Sequence, residues 1–259
     1  MISNQHKIKL LALVSLCFIV AACCIKRFAQ NSYYHLFSDD NEIFSIPNFN
    51  NVLSNFPFIV FGIIGITFII KKYRGKQEST ILLASLFFFL GIFFTGIGSS
   101  YYHLYPTTKS LVWDRLPMVI VFMSFFSIII TENISNTIGK KSLVYLLVIG
   151  ISSVLYWYIT ELFGVGDLRL YVIVQFLPLV LIPLILLMFN NSWSSTKYYW
   201  LMIGVYVLAK VFETFDEQVY VLTNLISGHT IKHLVASFAP FIYYKKISNS
   251  EYSVRNAFS

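Results

Sequence analysis

The chain has 259 residues, of which 57% are hydrophobic, 18% aromatic and only 12% charged. Its mean hydropathy of +0.70 places it in a bilayer rather than among soluble domains. The net charge of +7 does not mark a nucleic-acid surface, because the basic residues lie in short segments between apolar runs.

A spanning helix needs about 20 mostly apolar residues, and runs of that kind occur near 10–25, 52–70, 80–103, 111–130, 143–161, 170–189, 198–214 and 226–244. The expected fold class is therefore all-α: a polytopic membrane helical bundle, with a seven-helix core and one extra N-terminal helix. The first run follows Lys7 and Lys9 and precedes Val20-Ala21-Ala22-Cys23, so residues 1–30 read either as a retained transmembrane helix or as a signal sequence with a lipoprotein-like box. Cys17, Cys23 and Cys24 all lie in that region, with no distant partner for a disulfide and no CxxC spacing.

Residues 31–51 form an outer loop rich in acids and amides, 52–247 hold the core, and 248–259 form a polar tail. With the N-terminus in the cytoplasm, the inner segments collect Lys7, Lys9, Lys71, Lys72, Arg74, Lys76, Lys140, Lys141, Lys197, Lys245, Lys246 and Arg255. The outer ones hold only Lys26, Arg27, Lys109 and Arg169. That asymmetry predicts cytoplasmic N- and C-termini.

On this map His103 ends the third run and Asp114 starts the fourth, while His229 and His233 open the eighth; all four fall on the non-cytoplasmic side. His229 and His233 project from one helix face a turn apart. Taken alone, such a pair is also a common packing feature of membrane helices. Three imidazoles with an open fourth position suit Zn2+, and a carboxylate such as Asp114 suits proton transfer beside it. The competing role for Asp114 is an ion pair with Arg115 or a helix cap. Ser99 lies one turn beneath His103 and reads either as part of the site or as a helix residue bonded to its own backbone.

A second polar group, Lys210, Glu213, Asp216 and Glu217, occupies the outer end of the seventh run. The spacings put Lys210, Glu213 and Glu217 on one face, as intramembrane chemistry or as an ion pair closing the bundle mouth. Glu161, Asp167 and Arg169 fall in an outer loop and receive no chemistry. Tyr101, Tyr102, Trp113, Trp157 and Tyr158 sit near run ends, where an interfacial aromatic belt is expected.

The order Ser99-x-x-x-His103, Asp114, His229-x-x-x-His233 resembles the alkaline ceramidase family and its superfamily of adiponectin and progestin receptors and hemolysin III-like proteins. The likeness spans roughly residues 39–244, and Asn51-x-x-Ser54-Asn55 resembles the polar signature opening the family's first core helix. The resemblance implies zinc on His103, His229 and His233, a supporting serine at Ser99 and a catalytic aspartate at Asp114. It further implies an amidase that takes ceramide or a related lipid amide from the bilayer and releases fatty acid and amine. Before the first core helix the chain departs from the family's calcium site. Asp39 and Glu42 keep the Asp-to-Glu spacing, but the tryptophan is absent, Phe44 stands at the asparagine position and Asn48 replaces a later glutamate. Asp39, Glu42 and Asn48 are thus the remaining candidate Ca2+ ligands, against a solvated acidic loop. A lipid-sensing receptor with structural zinc and a transporter using the intramembrane acids are the alternatives to hydrolysis.

Overall fold

The computed structural model describes residues 3–74, 80–189 and 193–256; Lys76 and the end of the tail fall outside them. Among the described residues the chain is all α-helical. Its long helices are α1 (Asn4–Cys24), α3 (Phe56–Arg74), α4 (Thr80–Leu104), α5 (Thr108–Asn133), α6 (Asn136–Leu162), α7 (Arg169–Met188), α8 (Trp193–Thr214) and α11 (Phe238–Asn256). Shorter pieces are α2 (Phe49–Leu53), α9 (Asp216–Thr223) and α10 (Gly228–Ala236). The protein is a membrane helical bundle.

Among the described residues six segments are long and apolar enough to cross a bilayer, ending with Arg169–Met188, two fewer than the apolar runs predict. The two that differ carry polar cargo. The run expected at 198–214 is α8, which bears Lys197, Lys210 and Glu213. The run expected at 226–244 is two helices, α10 and α11, meeting at Ser237. Pro240 has no N–H to offer the carbonyl of Ala236 and its ring crowds that position, so the helix restarts there. The spacing across Glu213 and Glu217 is interrupted in the same way, because α8 ends at Thr214 and Glu217 belongs to α9.

Packing joins α3 to α4, α4 to α5 and α5 to α6 in chain order, and α8 lies against α10 and α11. One apolar cluster, including Phe88, Phe89, Ile128, Ile129, Ile185 and Tyr243, fills the end where α5 finishes. A second, around Tyr102, Leu111, Val119, Val154 and Trp157, fills the end where α5 begins. Asp114 and Glu132 are separated along α5 by about 27 Å at 1.5 Å per residue, close to the thickness of the hydrocarbon layer.

Helix α1 packs on α7 and buries only Leu11 and Ala22. Its C-terminal carbonyls are met by Arg169, whose guanidinium donates to Cys23 O and Ile25 O at 3.2 Å. Arg169 also clasps Asp167 at 2.8 Å, and this bond holds the Asp167 carboxyl down at about 2. The outer loop at Asp167 therefore has a structural task, tying the extra helix to the core.

At the far end Lys246 donates to both oxygens of Glu132, at 2.7 and 2.8 Å, and the Tyr199 hydroxyl donates to the same carboxylate at 2.7 Å. This triad pins α11, α5 and α8 together. Removing one partner strands a largely buried charge, so Glu132→Ala should cost about 3 kcal/mol. Thermal unfolding in detergent should show the loss, and Glu132→Ala with Lys246→Met should recover most of it.

Candidate metal and hydrolytic site

The three predicted histidines come together. Their ring nitrogens offer ligand atoms all within 4.8 Å of one another, and all three side chains are buried. Ring centroids lie 4.9 Å apart for His103 and His229, 5.0 Å for His103 and His233, and 4.8 Å for His229 and His233. The Nε2 atoms of His103 and His229 approach to 3.3 Å. Two nitrogens bound tetrahedrally at 2.0–2.1 Å lie about 3.3 Å apart, so this pair already has the spacing of two zinc ligands.

Tautomers support the same fit. The Ser54 hydroxyl donates to Asn51 O at 2.9 Å, so it accepts from His233 Nδ1, also at 2.9 Å. That fixes the proton on Nδ1 and leaves the His233 Nε2 lone pair free to bind a metal, as metal-binding histidines commonly require. The Asn51-x-x-Ser54-Asn55 signature is the rack behind this arrangement. Asn51 accepts from the Thr230 hydroxyl at 2.8 Å and donates to Asp39 O at 3.0 Å, and Asn55 donates to Asn51 O at 2.8 Å.

Local sequence explains how the helices come so close. Gly228 starts α10, and a Cβ there would stand 2.1 Å from Phe212 O; the missing side chain lets α10 lie on the end of α8. The His229 N–H is then free to donate to Asp216 Oδ1 at 2.6 Å. Asp216 caps the helix that carries the histidines. On α4, Gly98 plays the equivalent part, since a Cβ would sit 2.0 Å from Trp113 O. That carbonyl is the one Pro117 cannot serve, four residues on. The resulting close approach of α4 and α5 sets Ser99 beside Asp114 on the wall of one cavity. Arg115 turns away into an aromatic cage, and no Asp114–Arg115 ion pair forms among the described residues.

Both Asp114 and Ser99 line a cavity of about 490 Å³ that also reaches His233. Its polar end adds Arg115, Lys210, Glu213 and Lys232, and its walls run past Phe122, Phe125, Ile182 and Met202. Glu213 is bonded to Lys210 and, at 3.1 Å, to Lys232. Lys232 Nζ in turn stands 3.0 Å from His229 Nε2. The predicted Lys210–Glu213 pair therefore exists, but it is part of a chain that reaches the histidines through a lysine the spacing did not single out.

The loop between α1 and α2 closes over the site. Phe37 packs on His103 and His229, with centroids 4.6 and 5.0 Å away. His35 bridges Tyr102 Oη at 3.0 Å and Thr108 Oγ1 at 3.2 Å, and burial, reinforced by Arg115, pushes its imidazole below its ordinary value, toward the neutral form. The candidate calcium residues are employed within this loop. Asp39 is fully buried and its carboxylate accepts the Asn41 and Asn50 amides, each at 2.9 Å. Asn48 donates to His103 O at 2.9 Å, and Glu42 is exposed. The aromatic belt divides likewise: Tyr101 and Trp113 are exposed, whereas Tyr102 and Trp157 are buried and hydrogen-bonded. Phe37 and Lys232 carried no signal in the sequence, because only the folded path of the chain brings them to the histidines; Ser54 stood there as part of the Asn51-x-x-Ser54-Asn55 signature, without its tie to His233.

The profile of the Ceramidase family matches residues 43–215. The chain belongs to the Ceramidase family. The match takes in Ser99, His103 and Asp114 and stops before α10, so the convergence of His229 and His233 on His103 is a structural observation independent of it. No curated protein and no solved structure matches. Membership supports a membrane hydrolase acting on a lipid amide, and the histidine cluster supplies a place for a metal ion.

Ser54→Ala removes the acceptor that orients His233. Titrated with a divalent metal ion, the variant should bind it about 10- to 100-fold more weakly than the wild type with little change in fold, measured by competition with a chromogenic chelator.

Proposed function

We propose that the protein is a zinc-dependent intramembrane amidase that hydrolyses the N-acyl bond of ceramide or a related lipid amide to fatty acid and amine. One observation carries the reading: three buried imidazoles converge beside a Ser99–Asp114 pair at the polar end of a largely apolar cavity. His103, His229 and His233 would hold the metal. When bound, zinc supplies an acidified water and an electrophile for the amide carbonyl.

The chain's own residues do the remaining work. Apolar walls from α4, α5, α7 and α8 receive the acyl chain and exclude water, so polar groups at the cavity's end act at high strength. Asp114 accepts a proton from the attacking water and returns it to the departing nitrogen. Ser99 orients the Asp114 carboxylate and, released from it, donates to the oxyanion that forms on the amide carbon. Glu213 holds Lys232 and Lys210 at the rim, and Phe37 covers the imidazoles from the outer loop.

In this reading α1 is an addition ahead of a core at 52–247, followed by the tail from 248. Both termini face the cytoplasm and the site opens toward the opposite side, in keeping with twelve basic residues on the inner segments against four on the outer. Asp39 and Asn48 brace the outer loop rather than bind calcium, since amide donors already occupy the Asp39 carboxylate.

His103→Ala, His229→Ala or His233→Ala should lose zinc and fatty-acid release together. Asp114→Asn should keep zinc and lower turnover about 100-fold or more. Elemental analysis paired with mass spectrometry of released fatty acid reads both quantities, and full turnover by a metal-free triple variant would end the proposal.

A further inference from the structure

Arg115 follows Asp114 on α5 and is only 6% exposed. It forms no ion pair with a carboxylate among the described residues. One terminal nitrogen donates to Gln30 Oε1 at 2.6 Å. The guanidinium carbon lies 4.2 Å from the centre of the Trp157 ring, 4.6 Å from Tyr171 and 5.6 Å from Tyr34. Glu161 turns its Oε1 to Gln30 N at 2.5 Å and Trp157 Nε1 at 3.0 Å and makes no ion pair with Arg115 among the described residues. Asp114 faces Ser99 instead. The other terminal nitrogen, NH1, is buried with no hydrogen-bond partner.

Aromatic faces offset only part of what it costs to bury an unpaired charge. The residue also lines the cavity that reaches Asp114, Ser99 and His233. There Arg115, Lys210 and Lys232 face only Asp114 and Glu213, so the polar end has an excess of positive charge. A planar guanidinium held by stacked rings, with a free N–H donor, is preorganised for a carboxylate.

We propose that Arg115 is a ligand-binding residue that holds the carboxylate of an amphiphile whose chain lies in the cavity. The carboxylate belongs either to the head group of an anionic N-acyl lipid or to the fatty acid released on hydrolysis. The inference rests on the lipid-amide reading of the cavity, and it makes Arg115 a determinant of which lipids are retained.

The test uses full-length, metal-quantified protein and four probes of equal chain length: N-lauroylglycine against N-lauroylethanolamine, and laurate against lauramide. Wild-type protein should bind the charged member of at least one pair about tenfold more tightly. The glycine pair reports a head-group site and the laurate pair a product site. Arg115→Gln should bring that ratio close to one while leaving affinity for the neutral member unchanged, an effect that a purely structural arginine would not produce. Arg115→Lys keeps the charge but not the planar fork, and should lower the ratio at least threefold.

Equal binding within both pairs by the wild type would overturn the proposal, as would ratios unaltered in either variant. Fatty-acid release is followed separately on a panel of neutral and anionic lipid amides. Failure to cleave any of them would remove the hydrolase reading, while the binding ratios still decide the role of Arg115.

Discussion

The site depends on where one proton sits on His233. Ser54 donates to the backbone of Asn51 and can therefore only accept from Nδ1, which leaves Nε2 bare toward the other two rings. Three neutral imidazoles facing one another gain little from mutual contact, since each presents a lone pair that wants a donor or a cation, and Lys232 Nζ already stands 3.0 Å from Nε2 of His229. Hydrogen-bonded racks hold this arrangement, although Asn55 Oδ1 and His103 Nδ1 are buried without a partner. Asn51 is tied to Thr230 and Asp39, and the N-terminus of α10 is capped by Asp216. A cation at the centre would complete the arrangement.

Membrane helices gain no hydrophobic advantage from meeting one another in lipid, so close packing and hydrogen bonds decide where they touch. Both close contacts that build the site obey this. Gly98 admits a carbonyl that Pro117 leaves unserved, and Gly228 admits the carbonyl of Phe212. At the opposite end the Glu132–Lys246–Tyr199 triad supplies the counterpart for α5, α8 and α11. The α5 helix thus carries Asp114 beside the histidine cluster at one end and an anchor at the other, with an apolar shaft between.

The loop between α1 and α2 is as much part of the site as the helices. It contributes Phe37 over two histidines, His35 between Tyr102 and Thr108, and Tyr34 and Gln30 around Arg115. An enclosed polar pocket strengthens each electrostatic contact inside it and shields it from water. Asp39 serves the folding of this loop: it organises Asn41, Asn50 and Asn51 rather than facing outward as an isolated charge.

The sequence by itself determined the bilayer environment, the helical class, and the residues His103, Asp114, His229 and His233 at a common depth. Apolar run length, hydropathy and the order of ligands along an up-down chain are properties that survive without coordinates. Only the tertiary structure decided which nitrogen of His233 is free, that Pro240 splits the last run, and that Lys232 rather than Glu217 completes the Glu213 network. It also turned Arg115 away from the neighbouring Asp114 and into the rings of Trp157 and Tyr171. These outcomes depend on distances between helices and on the path of a loop, and neither is encoded in the spacing of residues along one helix.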